Sequence, residues 1–225
     1  MLMTSPWSVK GTGRAAVSAA GILLLVFLLA SVARGAEAGG KDDPAGFVRG
    51  LGDQAIAVLT EPGLDWAQRQ DRLRKLLNQG FALEAIGRFV LGKHWRRASQ
   101  EERSRFLAVY EDFLMAHYVQ RMQQYAGEQL EIEATKDASG EGAIVQSSVT
   151  RSDGLRVRVD WRLQRVEARW SIVDVVVEGV SLALTHRSEF ASVIRTKGGL
   201  EGLLKALQEA SRRSETKPSS GPTTS

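Results

Sequence analysis

The sequence predicts an α+β fold: a curved antiparallel sheet of about four strands packed against a helical layer, with helices at both ends of the chain. Three observations lead there. Apolar residues recur at helical spacing from Phe47 to Tyr125, ending at Gly127. From Gln129 to Glu178 the period drops to two, most strictly where Leu155, Val157, Val159, Trp161 and Leu163 alternate with Arg156, Arg158, Asp160, Arg162 and Gln164. Beyond Gly179 helical spacing returns. Helices, then strands, then helices make a segregated α+β domain rather than an alternating α/β one.

Each element has its own signals. Pro44 opens the first helix, whose apolar set Phe47, Val48, Leu51, Ala55, Val58 and Leu59 stops at Pro62-Gly63. Asp65 is placed to cap the second, with Trp66, Leu73, Leu76 and Leu77 on one face and charges on the other; Gly80 ends it. A short helix covers Leu83 to Leu91 and stops at Gly92. Ser99-Gln100-Glu101-Glu102 is a capping box for the longest helix, which carries the aromatic stripe Phe106, Tyr110, Phe113, Leu114, His117, Tyr118, Met122 and Tyr125. Strands are expected near 129–136, 142–151, 155–165 and 168–178, divided by Ser139-Gly140, Asp153-Gly154 and the Val166–Ala168 turn. Helices follow near 188–195 and 200–210.

The N-terminus reads as an export signal. Lys10 and Arg14 precede an apolar run from Ala15 to Ala33, and Ala36-Glu37-Ala38 has the small-x-small pattern of a cleavage site. Cleavage after Ala33 and an uncleaved anchor are the alternatives. The expected organisation is a signal peptide over 1–38, one domain over 39–213, and a disordered tail over 214–225, SETKPSSGPTTS. Losing Lys10, Arg14, Arg34 and Glu37 lowers the net charge from +4 to +2. The strand arginines are interleaved with Asp160, so no cationic surface for nucleic acid stands out. With no cysteine, thiol chemistry and Cys-based metal sites are excluded.

No motif announces an enzyme. His94, His117 and His186 lack ligand spacing, and no metal or cofactor is expected. Gly179-Val180-Ser181-Leu182-Ala183 falls one residue short of G-x-S-x-G and follows an antiparallel strand, the wrong context for a nucleophile elbow. Glu101/Glu102 and Glu111/Asp112 diverge on a helix surface. What stands out is apolar surface. The segment from Trp170 to Val177 is apolar on both faces around Asp174, so its second face needs cover from a helix, a partner or a ligand.

Two segments carry a family resemblance. RFVLGKHWRRASQEERSRFLAVYEDFLMAHYVQRMQQYAGE (88–128) and RVRVDWRLQRVEARWSIVDVVVEGVSLALTHRSEFASVIRTKGGLEGLLKAL (156–207) resemble the MlaC family of periplasmic phospholipid carriers, also known as the toluene-tolerance family. The likeness runs from Phe47 to Leu207. A hopanoid-associated branch shares the plan but fits less well around Val-Asp-Trp and Gly-Val-Ser. Ala82 stands where relatives commonly have a capping aspartate, and the Val166–Ala168 turn lacks the usual glycine or aspartate.

The resemblance implies an apolar cavity between sheet and helices that holds phospholipid as cargo. It implies a carrier working with an outer-membrane lipoprotein complex and the MCE-domain subunit of an inner-membrane ABC transporter, which maintains outer-membrane lipid asymmetry in the Gram-negative periplasm. Carried onto this chain, the lipid-binding wall comprises Phe89, Trp95, Tyr110, Phe113, Val159, Trp161, Val175, Val177, Val180 and Phe190. Val180, in the E-G-V-S segment, is the expected key contact. Arg88 and Arg187 are headgroup candidates, although surface ion pairs account for them equally well. The rival readings are an exported protein-binding adaptor with a full interior, and a lipid hydrolase using Ser181.

Overall fold

The alternation in the strands translates directly into a meander. The computed structural model describes residues 43–138, 142–151 and 153–216. The signal-peptide reading and most of the tail fall outside those residues. Strands β1 (Gln129–Ala138), β2 (Gly142–Thr150), β3 (Arg156–Val166), β4 (Arg169–Val177) and β5 (Val180–Ser181) pair antiparallel in chain order. The short β5 is an addition to the expected strands. Val159 faces Val177 and Trp161 faces Val175, while Val145 and Val149 oppose Trp161 and Val157. All are buried, which makes this the dry face.

The sheet departs from regularity where it matters later. Arg162 pairs with Asp174 but Leu163 pairs with Ile172, so Val173 is an extra residue in β4. Such a bulge bends the strand and re-aims its side chains. Two tight reversals flank β4. Glu167 and Ala168 have φ of 50° and 60°, and Glu178 and Gly179 have 49° and 81°. Both are two-residue loops with positive φ at both positions, the geometry that matches strand twist.

Capping follows the sequence signals closely. Helices α1 (Pro44–Thr60) and α2 (Trp66–Gly80) are capped by Asp43 and Asp65, the latter in a full capping box with Gln68. Helix α3 (Leu83–Leu91) has no side-chain cap at Ala82, as the missing aspartate implies. A short α4 (Lys93–Arg97) leads into α5 (Gln100–His117), where the Glu102 amide donates to Ser99 Oγ at 3.1 Å and the Ser99 amide donates to Glu102 Oε2 at 2.7 Å. Helix α6 (Leu182–Thr196) starts earlier than expected because Ser181 caps it, and α7 (Gly199–Thr216) continues past the expected 213/214 boundary. Among the described residues, no helix is long and apolar enough to cross a membrane.

The aromatic stripe is not one continuous helix. It ends at His117 and gives way to a 3₁₀ segment, Val119–Gln124. The reason is tertiary. Phe106, Tyr110 and Phe113 pack into a core shared by α3, α5, α6 and α7, whereas Met115, Val119 and Met122 pack into a second core between α1, α2 and the dry face of the sheet. The tighter segment lets the chain pass from one core to the other. Phe81, Leu83 and Leu114 border both.

Candidate functional site

Where the two cores meet they leave a pocket. Leu77 (α2), Phe81 at the C-terminal end of α2 and Ile86 (α3) close one side. Tyr110 and Leu114 (α5), followed by Tyr118, Val119 and Met122, form the wall that continues into the 3₁₀ segment. The bulged Val173, with Asp174 and Val175, supplies the sheet side, and Leu182, Ala183 and His186 come from α6. The pocket encloses about 90 Å³. Sites for small organic ligands occupy roughly 300–1,000 Å³, so the enclosed space is smaller than such a site. A second, larger cleft of about 450 Å³ between α2, α5 and α7 is polar, lined by Asp71, Arg74, Asp112 and Arg212. Arg74 is held there by Glu111 at 2.9 Å and Asp112 at 3.0 Å. That cleft is an ion-paired surface groove, and the smaller apolar pocket is the chemically distinctive one.

The apolar pocket has a polar seam. His186 is buried, with the Tyr110 hydroxyl 2.8 Å from Nδ1 and the Tyr118 hydroxyl 2.9 Å from Nε2. Burial, with a smaller push from His117, holds its pKa down at about 3, so the ring is neutral. Burial also drives the Tyr110 hydroxyl well above its usual pKa. Asp174 is engaged at both oxygens. Oδ1 accepts the Ala183 amide at 3.0 Å, and Oδ2 accepts the Ser181 hydroxyl at 2.7 Å and Arg162 at 3.2 Å.

These contacts bear on the hydrolase reading. Ser181, Asp174 and His186 are all local, yet the serine proton goes to Asp174 and the serine oxygen accepts the Leu184 amide. Both imidazole nitrogens face tyrosines. The serine–base hydrogen bond that nucleophilic catalysis needs is therefore replaced by a helix cap. Among the described residues, no group of three or more His, Cys, Asp or Glu could hold a metal ion.

The residues named from the sequence are distributed unevenly around the pocket. Tyr110 and Val175 line it. Val159, Trp161 and Val177 lie beyond it on the dry face, where Trp161 Nε1 donates to Ser147 Oγ at 3.0 Å. Trp95, Phe113 and Phe190 fill the helical core. Phe89 and Val180 are 39% and 49% exposed, outside the lining. Arg88 is exposed on α3, and Arg187 lies 4.8 Å over the Phe89 ring and donates to the Phe89 carbonyl at 3.3 Å. Sequence reasoning missed Asp174 and His186 as pocket residues. A lone histidine on a helix has no partner that spacing can reveal, because its tyrosines lie 76 and 68 positions away. The single Asp174 in an otherwise apolar strand was the available clue.

Comparison with known proteins places this geometry in a family. The family model described as "MlaC protein" matches residues 50–209. The toluene tolerance protein ttg2D of Pseudomonas putida is 24% identical over 129 residues, covering 57% of this chain and 60% of the relative. The intermembrane phospholipid transport system binding protein MlaC of Haemophilus influenzae is 23% identical over 132 residues, covering 57% and 61%. The chain thus spans about three fifths of the length of these curated relatives. A phospholipid-binding protein from Ralstonia solanacearum, solved in complex with a phospholipid, superposes with a TM-score of 0.67 at 20% identity, covering 77% of this chain and 99% of that one. At that identity the likeness establishes the fold. With the family model spanning both cores and the whole sheet, the chain belongs to the MlaC family.

Proposed function

We propose that this protein is a periplasmic phospholipid-binding carrier. In this reading it moves lipid between an outer-membrane lipoprotein complex and an inner-membrane ABC transporter bearing MCE-domain subunits. The observation that carries the reading is the apolar pocket at the seam of the two cores, which a modest separation would extend along the dry face toward Val177, Val159 and Trp161. The phospholipid transport and phospholipid binding of the Haemophilus and Ralstonia relatives support it, as does the export signal read from residues 1–38. Tyr110 and Val175 are the proposed first contacts for an acyl chain.

Physical chemistry then constrains the mechanism. Burying one chain of about fifteen methylenes contributes on the order of 12 kcal/mol, at ~0.8 kcal/mol each. Two chains approach the ceiling of non-covalent affinity before entropic costs are subtracted. Release into water is then too slow for a shuttle, so transfer requires docking to a membrane complex that offers a continuous apolar path. The chemistry is binding and release, with Ser181 acting as a cap.

The test is direct. The exported protein is purified without detergent, and its organic extract is analysed by mass spectrometry. Co-purifying phospholipid is the expected result. An extract free of lipid, together with no uptake from phospholipid vesicles, would favour the adaptor reading instead. Rapid unassisted transfer to liposomes would contradict the docking requirement.

A further inference from the structure

Five large apolar side chains stand exposed among the described residues, and three of them gather where α3 meets α6. Leu155 and Val166 sit singly at opposite ends of β3. Phe89 lies on α3, Leu184 in the first turn of α6, and Val180 in β5 just ahead of the Ser181 cap. The outer surfaces of the two helices are joined by Arg187. Its guanidinium lies 4.8 Å over the Phe89 ring and donates to the Phe89 carbonyl at 3.3 Å. A methyl group at Gly92 would stand 3.3 Å from the same guanidinium, so glycine there leaves room for Arg187 across the end of α3. Along α6, Leu184, Arg187, Ser188, Ala191 and Arg195 recur at helical spacing on one face.

The charges on this side are of one sign and lack partners. Arg88 precedes Phe89, Lys93 follows Gly92, and Arg187 and Arg195 lie on the α6 stripe. All four are exposed, and none is in an ion pair among the described residues. Elsewhere Arg105, Arg158 and Arg162 each hold a carboxylate. Glu84 is the one exposed carboxylate on either helix. His94 senses the same surroundings: desolvation, then Lys93 and Arg97, hold its pKa below the usual value.

We infer that this face of α3 and α6 is a docking surface for an anionic phospholipid bilayer. Phe89, Val180 and Leu184 reach the boundary between headgroups and acyl chains, while Arg88, Lys93, Arg187 and Arg195 meet the lipid phosphates. Charge complementarity selects this occupant. Separate apolar side chains among unpaired cations suit a fluid anionic surface, whose headgroups rearrange to reach each charge. Ile86 and Ala183 line the pocket from the same two helices, so docking holds the pocket near the bilayer. The surface does not depend on what the pocket carries.

The experiment mixes the full exported protein with vesicles of phosphatidylglycerol and phosphatidylcholine in equal parts, or of phosphatidylcholine alone, and reads bound protein by flotation. Binding should be at least about tenfold tighter on the anionic vesicles and should fall as salt is raised. Lys93→Gln with Arg195→Gln should weaken it by about 25-fold, at about fivefold per cation. Leu184→Ser should weaken it as well, through lost apolar contact. Arg105→Gln removes the same charge from α5 and should have far less effect. Equal binding to both vesicle types, binding to neither, or an equal loss in Arg105→Gln would overturn the inference. Lipid extracted from the same variants should match wild type, so a failure of docking leaves the carrier reading standing. An extract free of lipid, with docking intact, would support this surface and overturn the carrier reading instead.

Discussion

Ser181 and Asp174 form the joint between sheet and helix: the serine hydroxyl donates to Asp174 Oδ2 at 2.7 Å while its oxygen caps α6 through the Leu184 amide at 3.1 Å. Asp174 also accepts the Ala183 amide at 3.0 Å. One buried carboxylate thus anchors the first turn of α6 against the edge of β4, beyond the end of β5. Asp174→Ala should therefore leave Ser181 and the Ala183 amide without their acceptor and destabilise the fold by about 2–4 kcal/mol. Urea denaturation measures it, and Ser181→Ala should cost less, about 1 kcal/mol, with lipid retention unchanged.

The β3–β4 reversal carries a correctable strain. Glu167 and Ala168 both sit at positive φ, where asparagine and glycine are far better suited. Replacing the pair by Glu167→Asn with Ala168→Gly should raise stability by about 1–2 kcal/mol, seen as a higher denaturation midpoint at unchanged slope.

Acid should unfold the protein partly through His186. Its folded pKa of about 3 lies below the usual 6.5, so the unfolded chain binds more protons between those values. Stability is full above about pH 6.5 and is lost as pH falls toward 3, at up to about 1.4 kcal/mol per unit. Glu189 acts in the opposite sense, because burial raises its pKa from 4.5 to about 6. Its contribution is full below pH 4.5 and is lost as pH rises through 6, so the two slopes oppose each other between those values. The net acid loss should therefore steepen below about pH 4.5, where Glu189 no longer opposes His186, and a His186→Phe variant should lack the His186 part of the pH dependence in denaturation series.

Filling the pocket separates packing from cargo. Val175→Phe intrudes on the space between β4 and α6, with an overpacking cost of about 1–3 kcal/mol, and should strongly reduce co-purifying lipid while the circular dichroism stays native. Val180→Glu is the contrasting case. At 49% exposure the residue should accept the charge with stability within about 0.5 kcal/mol and with lipid retained. Loss of lipid in Val180→Glu would instead make it a cargo contact.

The sequence by itself determined the fold class, the Asp65 and Ser99 caps, the strand alternation and the family. Each of these depends on neighbours close along the chain: Asp65 on Gln68, Ser99 on Glu102, Val157 on Val159. The tertiary structure alone decided that the aromatic stripe divides between two cores, and that the division leaves a pocket. It also decided that His186 meets Tyr110 and Tyr118, and that Asp174 holds α6. Local periodicity states which face of an element is dry but not which other dry face it meets. The pocket exists because Leu77, Tyr110, Val175 and Ala183 come from four elements whose meeting no single stretch of sequence encodes.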